Sequence, residues 1–131
     1  MTSSTRQNIS SGSAYEPILG YSRAVRVGNQ VFVSGTTAGS PAGAIGGADA
    51  AAQAREVFAR IEAALTEAGA TFADVVRTRV YLTDIADFDA VGAVHGEIFG
   101  EIRPASTMVV VAGLIDPRWK VEVELEAVLS D

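Results

Sequence analysis

Cysteine is absent from the 131 residues, and His95 is the single histidine. The first absence excludes a disulfide framework, a thiolate nucleophile and every cysteine-ligated zinc or iron–sulfur site. The second excludes a two-histidine metal motif and leaves any Ser–His–Asp arrangement one possible base. Basic charge is also scarce: 10 Lys and Arg against 16 Asp and Glu give a net charge of −6. A nucleic-acid footprint needs a basic patch, and an acidic membrane surface attracts the same cations, so neither partner is expected. No run of about 18 apolar residues occurs, and the polar opening stretch (residues 1–15) holds no apolar segment of a secretory leader. The expectation is one cytoplasmic domain.

What the chain does have is apolar residues. They make up 48% of it, 22 of them alanine and 16 valine, and the mean hydropathy is +0.24. A domain of this length buries only about two-thirds of its unfolded surface. The surplus predicts a substantial subunit interface.

Residues 1–14 are polar and serine-rich, and read as a flexible arm preceding a single domain over 15–131. Ser22–Val27 and Gln30–Ser34 flank Gly28-Asn29, which predicts a hairpin. Ala54, Val57, Ile61, Leu65 and Ala68 recur at helical spacing behind a capping Asp49, with Gly69 as the stop. Val76, Thr78, Val80 and Leu82 alternate with Arg77, Arg79 and Tyr81, which predicts a strand with an apolar and a polar face. Asp87 opens a second helix carrying Val91, Val94, His95 and Phe99 and ending at Gly100. Two further strands are expected at Ser106–Ala112 and Val121–Leu129. The order ββαβαββ implies an α+β sheet with two helices on one face.

The uncovered face holds the candidate chemistry. Glu122, Glu124 and Glu126 point the same way on the last strand, about 7 Å apart, and repel unless cations stand opposite. Arg77 and Arg79 form the matching pair on another strand. This is either a solvated, salt-bridged sheet face or a polar cleft with a working glutamate. Gly43, Gly46 and Gly47 lack the Lys-Ser/Thr of a phosphate loop. Asp84, Asp87 and Asp89 lack the glycine and closing glutamate of a calcium loop, and capping explains them better. His95, beside an apolar stripe, reads as a packed residue.

Arg-Pro-Ala-Ser-Thr-Met-Val-Val-Val-Ala-Gly-Leu (103–114) and Val-Glu-Val-Glu-Leu-Glu-Ala (121–127) resemble the signature of the Rid, or YjgF-like, family. Val27-Gly28-Asn29, Val33-Ser34-Gly35, Ala51-Ala52-Gln53-Ala54 and Val80-Tyr81-Leu82-Thr83-Asp84 also match, so the resemblance spans residues 15–129. It implies a chorismate-mutase-like fold assembled as a homotrimer, with ligand clefts between subunits. It further implies hydrolysis of small imines or enamines, such as 2-aminoacrylate, without metal or organic cofactor. Carried over residue by residue, Glu124 takes the place of the glutamate that activates water. Tyr21 stands for the cleft tyrosine, and Gly35 supplies a backbone donor for a ligand oxygen.

The family's arginine, a forked clamp for the substrate carboxylate, falls on Ser106. Losing that clamp costs about 1.5–3 kcal/mol, or roughly 10- to 150-fold in affinity. Arg103 replaces it only if the Arg103-Pro104 segment is not regular strand, because an odd offset points to the other face. Gly92 stands where the family has an asparagine, and His95 where it has an aromatic residue. The expectation is a cofactor-free deaminase-type hydrolase of a small metabolite, inefficient on 2-aminoacrylate. The alternative is a catalytically silent, metabolite-binding or scaffolding trimer. The family's old label, endoribonuclease or translation inhibitor, conflicts with the acidic charge.

Overall fold

Alternation and helical spacing, the two periodicities of the sequence, become the two layers of the molecule. The computed structural model describes residues 5–130. In chain order the elements are β1 (Arg6–Ile9), α1 (Tyr15–Leu19), β2 (Ala24–Val27), β3 (Gln30–Thr36), β4 (Gly39–Ser40), β5 (Gly43–Ala44), α2 (Ala50–Glu67), β6 (Val75–Leu82), α3 (Phe88–Phe99), β7 (Ala105–Val110) and β8 (Val121–Val128). Six strands form one sheet in the order β1-β2-β3-β8-β6-β7, and β4 pairs with β5 separately. β7 runs parallel to β6; the other neighbours in the large sheet are antiparallel.

The apolar set of each strand meets the helices. Val121, Val123, Leu125 and Ala127 of β8, Val31 and Val33 of β3, and Val80 and Leu82 of β6 are buried. Ala54, Val57, Phe58, Ile61 and Leu65 of α2 and Val91, Val94 and Phe99 of α3 close over them. Phe58, Phe72 and Phe99 pack edge-on, with ring centroids 5.4–6.5 Å apart. Asp49 caps α2 by accepting from the Ala52 amide at 3.2 Å. Gly69, just past its end, has φ +86°, a conformation that favours glycine. Among the described residues no helix is long and apolar enough to cross a membrane.

Four local readings are corrected. The arm expected over 1–14 is ordered from Arg6 to Ile9 as an edge strand on β2, because Ile9, only 1% exposed, drops into the core; residues 1–4 lie outside the described part. Val76 does not join the core. A bulge between Val75 and Arg77 opposes two residues to one on β8, burying Val75 and leaving Val76 46% exposed. Asp87 stands at the N-cap position of α3 but makes no side-chain cap; the capping carboxylate is that of Asp84, which caps the short 3-10 turn Ile85–Asp87 before it by accepting from the Ala86 amide at 2.9 Å. β7 spans Ala105–Val110, one residue earlier at its start than expected and two shorter at its end.

Candidate active site on the open face of the sheet

Register fixes what faces what on the uncovered side. β8 sets Glu122, Glu124 and Glu126 opposite Tyr81, Arg79 and Arg77 of β6. The glutamates are therefore paired and not crowded together alone. Arg77 Nε lies 3.6 Å from Glu126 Oε1, and Arg79 Nη1 lies 3.8 Å from the same oxygen. Both oxygens of Glu124 are engaged: Tyr81 donates its hydroxyl to Oε1 at 2.5 Å, and Arg79 Nη1 approaches Oε2 at 3.4 Å. That hydrogen bond, with burial and the Glu124 charge, raises the Tyr81 pKa above the usual phenol value despite the opposing Arg79. Tyr81 is thus kept as a donor.

A second group adjoins the first through Gly35. Arg23 is buried (8% exposed). Its Nη1 donates to the Gly35 carbonyl at 2.6 Å and to Thr36 Oγ1 at 2.9 Å, and its Nη2 to the Tyr21 hydroxyl at 3.3 Å. Its guanidinium also lies 5.5 Å from the centre of the Tyr21 ring. Behind it Glu16 pairs with Arg23 Nε at 3.7 Å and accepts from Ser10 and Ser11. Burial alone would raise the Glu16 pKa; the two serines and the Arg23 charge overcome it and hold the carboxyl below its ordinary value.

Glu122 closes the group. A Cβ at position 35 would lie 2.3 Å from its Oε2, so the glycine lets this carboxylate rest against the strand where a larger residue would push it aside. Burial pushes the Glu122 pKa up, reinforced by Glu124 and opposed by Arg23. Two neighbouring carboxylates thus stand in different surroundings, one gripped by donors and one pressed against backbone. Near Tyr21 a concavity of about 490 Å³ opens between Asn8, Ser10, Glu16, Gly20 and Ser22.

Arg23 links Tyr21 to Gly35, and the carboxylate that lies against Gly35 is that of Glu122; Glu124, two residues along the same strand face, contacts Tyr81 and Arg79. The partner defined for Gly35 is that of its carbonyl, not of its amide. Ser106 is not part of this group. It pairs with Thr78 of β6, whose side chain faces the helices, so Ser106 and Glu124 lie on opposite sides of the sheet. Thr78 Oγ1 is 2.8 Å from both Ser106 Oγ and His95 Nε2. Arg103 adopts φ +56° and its amide donates to the Phe99 carbonyl at 2.8 Å, so regular strand begins only after it. Among the described residues Arg103 makes no ion pair. Arg79 and Tyr81 were visible in the alternation of their strand, but only as a polar face. Arg23 gave no signal, since a buried arginine and a surface one look alike in sequence.

A mixed sheet with two helices on one side and paired carboxylates on the other defines a chorismate-mutase-like α+β domain. The chain belongs to the Rid (YjgF) family: the model of that family described as Endoribonuclease L-PSP matches residues 11–129. A crystal structure of a YjgF-family protein from Mycobacterium tuberculosis is 53% identical, with a TM-score of 0.87, over 95% of this chain and 100% of that one. The 3-aminoacrylate deaminase RutC of Acinetobacter baylyi is 36% identical over 108 residues, 82% of this chain and 85% of that protein. TdcF from E. coli, solved with bound serine, is 32% identical with a TM-score of 0.75, over 84% of this chain and 88% of that one.

Proposed function

We propose that this protein is a cofactor-free, deaminase-type hydrolase of a small imine, enamine or related carbonyl metabolite, working in the cytoplasm as a homotrimer. Its cleft lies between subunits: the Glu124 face of one, with Tyr21 and Gly35, meets the Ser106 edge of the next, where the exposed Arg103 also stands. The observation that carries this reading is the grip on Glu124. A carboxylate with both oxygens engaged, on a face that no element of its own chain covers, is fixed to orient a water molecule. The water oxygen bonds to the imine carbon as Glu124 takes a proton from it and passes that proton to the nitrogen; the carbon–nitrogen bond of the adduct then breaks as its hydroxyl proton is carried to the leaving amine, giving the carbonyl product and ammonia. A family relative named as a 3-aminoacrylate deaminase supports the same chemistry. With Ser106 where the family's arginine falls, the carboxylate subsite lacks its clamp, and 2-aminoacrylate is expected to be a poor substrate.

Ammonia release from 2-aminoacrylate generated in situ tests this in the wild type, Glu124→Gln and Ser106→Arg. Glu124→Gln is expected to lower kcat about 100-fold, and Ser106→Arg to lower KM about 10-fold or more. An unchanged rate in Glu124→Gln contradicts the assignment. The same Ser106 supports a second reading, a trimer that binds a metabolite without converting it; saturable binding with no ammonia from any variant would establish that one.

A further inference from the structure

Of the three carboxyls on the open face of β8, two have partners. Glu126 pairs with Arg77 and Arg79, and Glu124 with Tyr81 and Arg79. Glu122 differs: among the described residues it joins no ion pair and accepts no hydrogen bond, although it is half-buried. The fold sets its place. Register puts it opposite Tyr81 of β6, and the bare backbone of Gly35 on β3 leaves the space that its Oε2 occupies. It stands about 7 Å along the same face from Glu124, on the side of Gly35 and Arg23. The charged and titratable groups around it are Arg23 ahead of β2, Glu124 on its own strand and Tyr81 of β6; β3 brings the backbone of Gly35. The Arg23 guanidinium is already engaged by Glu16, Thr36, Tyr21 and the Gly35 carbonyl.

We propose that Glu122 is a second catalytic carboxyl, a neutral acid that delivers a proton to the nitrogen as it leaves. The assignment rests on the hydrolase reading above and supplies its second step. Glu124, as a carboxylate, makes the adduct of water and imine; that adduct must then lose its amine, which does not depart without a proton. Glu122 donates its carboxyl proton to the amine nitrogen while its other oxygen accepts the proton of the adduct's hydroxyl. The carbon–nitrogen bond breaks, the carbon–oxygen bond becomes a carbonyl, ammonia departs, and Glu122 is again the neutral acid. The two steps need opposite protonation states, and the two sites differ in that sense. Glu124 has two donors aimed at it, which suits a carboxylate; Glu122 has none, which suits an acid. Burial, reinforced by the Glu124 charge, also raises the Glu122 pKa against the pull of Arg23.

Ammonia release from 2-aminoacrylate generated in situ, corrected for spontaneous hydrolysis, is followed against pH in the wild type, Glu122→Gln and Gly35→Ala. Glutamine keeps the shape but has no acidic proton, so kcat should fall about 100-fold with KM nearly unchanged. The wild-type kcat should decline as pH rises through the Glu122 titration, above the ordinary carboxylate range, because the neutral acid is lost there. Glu122→Gln should lack that decline. In Gly35→Ala the added Cβ pushes the carboxyl toward water, so the decline should move to lower pH. Wild-type turnover by Glu122→Gln overturns the proposal. So does a decline that survives in Glu122→Gln or stays in place in Gly35→Ala. Ammonia release that falls in Glu124→Gln but not in Glu122→Gln refutes the acid alone. Release that falls in neither, or none from the wild type, overturns the hydrolase reading with it.

Discussion

The two faces of one strand, β8, are built by different physics. Val121, Val123, Leu125 and Ala127 are at most 1% exposed against the helices. Glu122, Glu124 and Glu126, interleaved with them, face Tyr81 and two arginines and keep contact with water. Fit holds the covered face, where each methylene is worth nearly a kilocalorie. Charge pairing holds the open one, where water screens each pair to about 0–1 kcal/mol. The lesson is that stability and chemistry are separated across a single sheet by the parity of residue number. The open face can change its chemistry without unfolding the protein.

That contrast can be broken in graded steps. Phe58→Ala on the covered side removes a ring that touches Phe72 and Phe99, and is expected to cost about 3–5 kcal/mol by chemical denaturation. A loss below about 1 kcal/mol would mean that this side is not close-packed. Arg23→Leu tests the exception, a charge of the open face that is buried. Its loss leaves Glu16 without its cation and the Gly35 carbonyl without a donor, at about 3 kcal/mol.

Glu122→Gln is the smallest effect and has a pH signature. The folded protein raises this carboxyl's pKa, so folding favours its protonated form. The ionised group therefore costs stability above its folded pKa, and that cost disappears as pH falls below the unfolded value. Glu122→Gln should thus be slightly more stable than wild type at neutral pH and equal to it below the ordinary carboxylate range, read from paired melting curves. Greater stability of the wild type at neutral pH would show that Glu122 is stabilised as an anion.

Much of this was legible beforehand because it depends on neighbours in sequence. The Gly28-Asn29 hairpin, α2 with its Asp49 cap, and the sharing of one strand face by Arg77 and Arg79 and of another by the three glutamates all follow from spacing. What was illegible depends on pairing across the fold. Arg6–Ile9 carries a single apolar residue, and only contact with β2 makes it a strand. The bulge that turns Val76 outward is a mismatch of two strands, which neither strand's own pattern records. For the site, resemblance pointed to Glu124, Tyr21 and Gly35, and the fold joins the last two through Arg23. It could not show that Ser106 faces the other way, because that depends on register with Thr78.

That opposition gives the most direct test of the central claim, a cleft shared between subunits. In the proposed cleft Glu124→Gln would lack the base of one half, and Ser106→Trp would fill the other half from the exposed edge of β7. Each variant alone should release ammonia at about 1% of the wild-type rate or less. The two chains, unfolded together in equal amounts and refolded, should recover about a quarter of the wild-type rate, since each cleft takes one half from each neighbour. A refolded mixture as inactive as its two parents would contradict the account.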